Sequence, residues 1–406
     1  MQKRKMSFRE RLANTGPAAL ITGGTVGPGT VTTATIAGVY FGFSFLWVII
    51  VMTIFKLVSV DMTSRLTLAS GKTYQEVLRE DVENPVLRQA LLAIMLISIV
   101  ITSLAFMLGN LTGAGLGMQL FLPTFNVGPL AMIVGIVSIV LILSGNYKLI
   151  EKVIKYLVLL FTLSFILTAI ITRPNLAELL KGFLIPRVPE GGWSNLVSLL
   201  GTSGLAGYGL FLHTNAIKEK WQGIENLDKA RNDNILLTPV AMFTTAMIII
   251  SAASMYGSGI EVNSAEVMGL QMEPLFGSAA KYIFGMGLFS AGISSVIPLT
   301  MACTWVITGL TGMDSDVRKM PFKVTATIFL GLATLMAFFA ARPVELIVAM
   351  QMVNAFLGPI SLGVLLVLTN KKSIMKDHTN SLFVNAIGIL TVLFLVYTSA
   401  RSLISM

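Results

Sequence analysis

Charged residues along this chain fall in short clusters separated by long apolar runs. No Asp, Glu, Lys or Arg occurs between Arg11 and Lys56, between Arg88 and Lys148, between Glu190 and Lys218, or between Asp233 and Glu261. The runs from Lys281 to Asp314, Glu345 to Lys371 and Asp377 to Arg401 repeat the pattern. About 20 apolar residues are enough to cross a bilayer as helix. The longest uncharged run, 89–147, has room for two crossings and carries a turn signal at Leu122-Pro123-Thr124. Divided at such signals, the chain predicts eleven helices, near 17–42, 44–69, 86–118, 127–145, 150–172, 193–217, 234–257, 274–309, 323–341, 345–369 and 381–402.

Composition agrees with an all-α polytopic membrane protein. Of 406 residues 54% are hydrophobic and 12% charged, and a soluble domain carries about twice that share of charge. This excludes a soluble enzyme, a nucleic-acid module and a secreted disulfide scaffold. The formal charge of +9 then reports basic loops rather than nucleic-acid binding. With the N-terminus inside, 22 of the 29 Lys and Arg residues fall in cytoplasmic segments, so the C-terminus is expected outside. Arg173, Lys181, Arg187, Arg342 and Arg401 fall outside, and Lys56 and Lys281 fall within helices. Residues 1–15 are too charged for a cleavable signal peptide. The stretch Trp221-Gln222-Gly223-Ile224-Glu225-Asn226 reads as a solvated cytoplasmic loop. Cys303, the single cysteine, lies in an apolar run and reads as packing. No nucleophile–base pair and no cofactor-binding motif is evident, so neither catalysis nor a cofactor is expected.

Two spans cannot remain regular helix. Gly23-Gly24-Thr25-Val26-Gly27-Pro28-Gly29-Thr30 holds four glycines and a proline that donates no hydrogen bond. Gly201-Thr202-Ser203-Gly204-Leu205-Ala206-Gly207-Tyr208-Gly209 has four glycines in nine positions. Secondary transporters often pair such breaks at equivalent places of two inverted repeats, with the substrate near the midplane between them. The expected organisation is a cytoplasmic segment 1–16, a first repeat 17–172, an extracellular loop 173–192, a second repeat 193–369, and a cytoplasmic loop with an appended eleventh helix over 370–406. Gly113, Gly115 and Gly117 read instead as close-packing positions.

Several segments, in order along nearly the whole chain, resemble the Nramp family of divalent-metal transporters. Gly16-Pro17, Gly27-Pro28-Gly29-Thr30 and Ile36-Ala37-Gly38 are similar to that family's first helix around its Asp-Pro-Gly-Asn signature. Leu210-Phe211-Leu212-His213-Thr214 resembles its Leu-Tyr-Leu-His-Ser segment in helix 6. Glu273-Pro274-Leu275-Phe276-Gly277 with Ala291-Gly292-Ile293-Ser294-Ser295 resembles helix 8. Gln351 with Pro359, followed by Ser373-Ile374-Met375, resembles helix 10 and the loop after it. The resemblance implies a LeuT-type fold with a 5+5 inverted repeat and alternating access. It also implies a divalent metal as substrate and a place in a bacterial cell membrane.

The residues that carry the family's metal chemistry differ. The helix 1 aspartate corresponds to Gly27, its asparagine to Thr30, and the helix 6 Met-Pro-His stretch to Ala206-Gly207-Tyr208. Carboxylate and thioether are both absent, and 89–147 holds no acidic residue for proton movement. What remains is neutral: the carbonyls of Val26, Gly27, Gly204 and Ala206, hydroxyls including Thr25, Thr30, Thr202, Ser203 and Tyr208, and the amides of Gln351 and Asn354 on one face of helix 10. Thr30 and Gln351 are the candidates to meet a metal. Such ligands suit a cation that keeps its waters, as Mg²⁺ does, and a branch of the family with altered site residues carries magnesium. His213 reads either as a titratable group on a proton or ion path or as a structural hydrogen bond. Asp61 and Arg65 read as an ion pair at the cytoplasmic end, and Lys281 as snorkelling or paired with Glu273. Scattered methionines, among them Met107, Met118, Met350 and Met352, read as packing. A carrier of a small organic solute, amino acid or anion on the same fold is the first rival, and a non-transporting sensor or scaffold the second. The expected partners are the substrate and lipid, with no nucleic acid.

Overall fold

Asn84 and Pro85 show how this chain starts a helix at a membrane face. The Asn84 side chain accepts from the Val86 and Leu87 N–H groups, and Pro85 occupies the first helical position, where no N–H is needed. In the computed structural model, which describes residues 16–18, 26–144, 148–203 and 207–405, such starts and stops delimit fourteen principal helices. They are α1 (Pro28–Phe41), α2 (Leu46–Ser70), α3 (Tyr74–Glu80), α4 (Pro85–Gln119), α5 (Val127–Ser144), α6 (Lys148–Ile171) and α7 (Leu176–Leu184). Then follow α8 (Trp193–Thr202), α9 (Gly207–Lys220), α10 (Leu227–Ala252), α11 (Ala280–Thr311), α12 (Met320–Phe338), α13 (Pro343–Leu368) and α14 (Leu382–Ile404). Among the described residues eight helices are long and apolar enough to cross a membrane.

The predicted spans match these helices closely at 86–118, 127–145, 345–369 and 381–402. Residues 17 and 18 are helical and α1 begins at Pro28, so the first span is two pieces. The sixth divides into α8 and α9. Three differences have physical causes. α10 starts at Leu227, seven residues before the predicted 234, because polar residues at a membrane face prolong a helix as readily as they end it. The predicted 274–309 opens instead with short helical turns at 265–279 before α11. Short α3 and α7 are absent from the hydropathy pattern. Thr73 and Glu76 nevertheless form a capping box at α3, and Asn175 caps α7.

Trp221 corrects the reading of a solvated loop. It is buried, packed with Leu68, Ile217 and Ala230, and the loop contains a helical turn at Ile224–Asn226. Lys281 pairs with Glu266 at 3.6 Å rather than with Glu273 and lies over the Tyr282 ring. The Asp61–Arg65 ion pair is present at 2.7 Å. Arg231 from α10 meets the same carboxylate at 2.6 Å, and Arg65 also donates to Asn380 Oδ1. Lys56, earlier on α2, is fully buried.

Lipid supplies no hydrophobic force between helices, so close backbone approach has to bind them. α4 lies at the centre, packed on α11, α13 and α5. A Cβ on Gly117 would stand 2.5 Å from the Gly285 carbonyl and 2.6 Å from the Phe289 nitrogen of α11. One on Gly115 would meet α5 at Val127 O and Ala131 N, and one on Gly113 would overlap Pro28. The close-packing role of all three glycines follows from these approaches.

Helix α3 ties the basic end together. Lys218 of α9 donates to Glu76 at 2.6 and 2.8 Å. Gln75 donates to Asn215, Tyr74 Oη to the Ser361 carbonyl, and Arg79 to the Gly309 carbonyl. Burial acts to raise the Glu76 carboxyl, but the Lys218 ammonium and the Thr73 N–H outweigh it and hold the group below its ordinary range. A carboxyl depressed on folding contributes stability above its unfolded pKa, which is lost as pH falls through the folded value. Glu76→Gln should therefore lower the thermal midpoint in detergent at pH 7 and down to about 4.3. The difference from wild type should shrink on further acidification. An equal difference at every pH would contradict this assignment.

Candidate functional site

Pro28 decides where α1 can begin. It has no N–H to leave unpaired, so it takes the first helical position behind Gly27, which is extended (φ −105°, ψ −179°) and brings no capping side chain. The Gly27 carbonyl accepts from the Val31 N–H at 3.1 Å, which leaves one lone pair for a further partner. At the second break α8 ends at Thr202 and α9 begins at Gly207. Ala206, expected to lend a carbonyl, lies outside the described residues, as do Thr25 and Gly204.

Three further helices close round Gly27 and Gly29. A Cβ on Gly27 would lie 2.7 Å from Asn110 Oδ1 of α4 and 3.2 Å from Ser295 Oγ of α11. A Cβ on Gly29 would overlap Gln351 Nε2 of α13, and one on Gly201 of α8 would overlap the Gln351 carbonyl. Gln351 thus meets α1 through its side chain and α8 through its backbone. Asn110, Ser295 and Gln351 are each at most 2% exposed. Asn110 Nδ2, Ser295 Oγ and Gln351 Oε1 have no hydrogen-bond partner among the described residues. Leaving such a group unpaired costs about 1–3 kcal/mol. Two at Gly27 and a third against Gly29 mark a place suited to something polar.

The remaining expected residues lie nearby or apart. Thr30 is buried in the first turn of α1. Asn354 is buried on α13 and donates to the Met350 carbonyl at 3.0 Å, and its Oδ1 has no partner among the described residues. Tyr208 rests its ring on Phe106, one turn before Asn110 on α4, within the apolar cluster of α4 and α11. His213 is further along α9, with Nδ1 2.6 Å from Thr63 Oγ1 of α2. That is the structural hydrogen bond foreseen as one of its two roles. Its Nε2 has no partner among the described residues. Asn110 and Ser295, which border Gly27, are not among the residues the sequence singles out for the site. Asn110 carried a signal, as an amide deep within an apolar span. Ser295 carried none that separates it from the other buried hydroxyls.

The assembled groups are amides, a hydroxyl and backbone carbonyls, all hard and neutral. Among the described residues no three His, Cys, Asp or Glu side chains form a metal-binding group. A carboxylate does act at the basic end, below the first break. Asp233 of α10 accepts from Gly16 N at 3.0 Å and Ala18 N at 2.8 Å. It caps the segment that leads to that break, where a helix N-terminus favours negative charge.

The profile of the Nramp family, described as natural resistance-associated macrophage protein-like, matches residues 18–405. A divalent metal cation transporter of Yersinia enterocolitica, MntH, is 27% identical over 99% of this chain and 97% of its own length. Crystal structures of a manganese transporter of Eremococcus coleocola superpose with a TM-score of 0.79 at 19% identity, covering 99% of this chain and 88% of that one. MhsT, solved in complex with L-phenylalanine, aligns with a TM-score of 0.63 at 13% identity over 96% of this chain and 97% of that one. The fold is the LeuT-type arrangement, with α14 appended.

Two substitutions separate the two sides of Gln351. Gly201→Ala drives a methyl into main-chain atoms of α13 that cannot turn aside, whereas Gly29→Ala meets only the mobile end of the Gln351 side chain. Overpacking against fixed backbone costs about 1–3 kcal/mol. Gly201→Ala should lower the thermal midpoint in detergent clearly more than Gly29→Ala does. The reverse order would show that Gln351 is not packed this way.

Proposed function

Since the chain belongs to the Nramp family, we propose that it is a secondary transporter that moves a divalent metal cation across a bacterial cell membrane by alternating access. The family match over residues 18–405 carries the reading. The asymmetry of the basic residues supports a cytoplasmic N-terminus and an outer C-terminus. The two halves, 17–172 and 193–369, move against each other around a site at the breaks. The second lone pair of Gly27 O, the Thr30 hydroxyl and the Gln351 amide line it, with Tyr208 and Asn354 at its margin.

Neutral oxygens set the chemistry of that site. A dication stripped of water needs anionic or many oxygen ligands, because uncompensated burial of charge is costly. With no carboxylate in 89–147 and Gly27 at the break, the ion keeps much of its hydration, which suits Mg²⁺. Lacking thioether and thiolate at the break, the site does not select soft transition metals. Proton coupling through an acidic residue of α4 or α5 has no group to carry it, since 89–147 holds none. Alternating access also requires the basic end to open, which breaks the Asp233 contacts to Gly16 and Ala18 and the Glu76–Lys218 pair. A second reading, a carrier of a small zwitterion or anion, draws on the same neutrality. The positive end of the α1 dipole lies at this break and could meet a carboxylate.

Purified full-length protein in liposomes tests both. Mg²⁺ and Mn²⁺ should enter with apparent affinities within about tenfold of each other, since hard neutral ligands discriminate weakly. Uptake should proceed without an imposed pH gradient. Gln351→Ala should raise KM about tenfold, as loss of one good ligand implies. Strong preference for Mn²⁺ or strict dependence on a proton gradient would sink the neutral-site reading. Amino-acid uptake without metal flux would establish the second one.

A further inference from the structure

We propose that Asn110, with Ser295 beside it, is a ligand of the transported cation and supplies from α4 and α11 the side-chain oxygen that α1 lacks at Gly27. The inference rests on the cation-transport reading above. Its first support is steric. The Cβ of any other residue at 27 would stand 2.7 Å from Asn110 Oδ1 and 3.2 Å from Ser295 Oγ. Asn110 therefore fills the space into which a side chain at 27 would extend. The present position of Asn110 requires a glycine at 27.

The second support is the way the two side chains are brought there. A Cβ on Gly113 would overlap the Pro28 ring, so α4 presses directly on the break. Asn110 precedes Gly113 by three residues and shares its helix face. A Cβ on Gly292 of α11 would lie 2.7 Å from the Asn110 carbonyl and 3.1 Å from the Ala114 nitrogen. Ser295 follows Gly292 by three residues. Two close backbone approaches thus aim two polar side chains at one point.

Their unmet hydrogen bonding is the third support. Asn110 Nδ2 and Ser295 Oγ are buried without a partner among the described residues, a state that a bound ion and its waters would relieve. Half a turn of the carboxamide exchanges its oxygen and nitrogen, so Asn110 can present oxygen to an ion and N–H to a neighbouring carbonyl. An amide oxygen and a hydroxyl are hard donors, as a partly hydrated dication requires.

The experiment is a mutant cycle on the full chain in liposomes, reading initial rates of Mg²⁺ and Mn²⁺ uptake. Asn110→Ala should raise KM about tenfold, the equivalent of one good ligand. Gly27→Ala should do the same by displacing Asn110, and the double variant should be little worse than either single one. Asn110→Asp should lower KM by adding charge. Single variants with KM unchanged, or effects that multiply in the double variant, would overturn the proposal. Thermal midpoints in detergent with and without Mn²⁺ give a second readout. The Mn²⁺-induced rise should shrink in Asn110→Ala and grow in Asn110→Asp, and a rise indifferent to residue 110 counts against the proposal. Wild type that carries neither cation overturns the transport reading itself, an outcome distinct from wild-type transport that ignores residue 110.

Discussion

A helix that stops inside hydrocarbon strands its terminal N–H and C=O groups where water cannot reach them. The other features of this protein follow from how it meets that constraint at Pro28. The proline removes one donor, Gly27 O accepts from Val31 N–H, and α4, α11 and α13 close round what is left. Irregular backbone at membrane depth is tolerable only where it is covered by protein or lines a cavity. The break therefore demands the tight helix cluster around it.

That cluster is made by the absence of side chains. Gly113 admits Pro28, Gly292 admits the Asn110 carbonyl, and Gly201 admits the carbonyl of Gln351. Each contact is between main chains or against a rigid ring, so none has slack. In lipid, where apolar burial between helices gains little, such approaches supply the dispersion energy that binds the bundle. They also bring Asn110 and Ser295 against Gly27 and Gln351 against Gly29.

The chemistry of the cluster departs from what an ion of two positive charges would first suggest. Amides and a hydroxyl cannot neutralise a dication as carboxylates do, so hydration has to remain part of the bound state. Carboxylates act instead at the basic end. There Asp233 holds the amides of Gly16 and Ala18, Glu76 holds Lys218, and Asp61 holds Arg65 and Arg231. Negative charge in this chain closes a face of the bundle rather than lining its middle.

Hydropathy alone located the spans, because an apolar run long enough to cross a bilayer is a local property of the sequence. The breaks were equally legible, since Pro28 ends a helix whatever surrounds it and the glycine clusters weaken one. Short α3 and α7 escaped, as did the burial of Trp221 and the pairing of Lys281 with Glu266, because neighbours far away in sequence decide these. Gln351 could be named in advance from its place in an apolar helix and from family resemblance. Asn110 could not be assigned, since nothing along α4 says which residue faces Gly27. The backbone approaches at Gly113 and Gly292 decided that. A sequence records where a polar group is expensive, and only the packed helices determine which other polar group it meets.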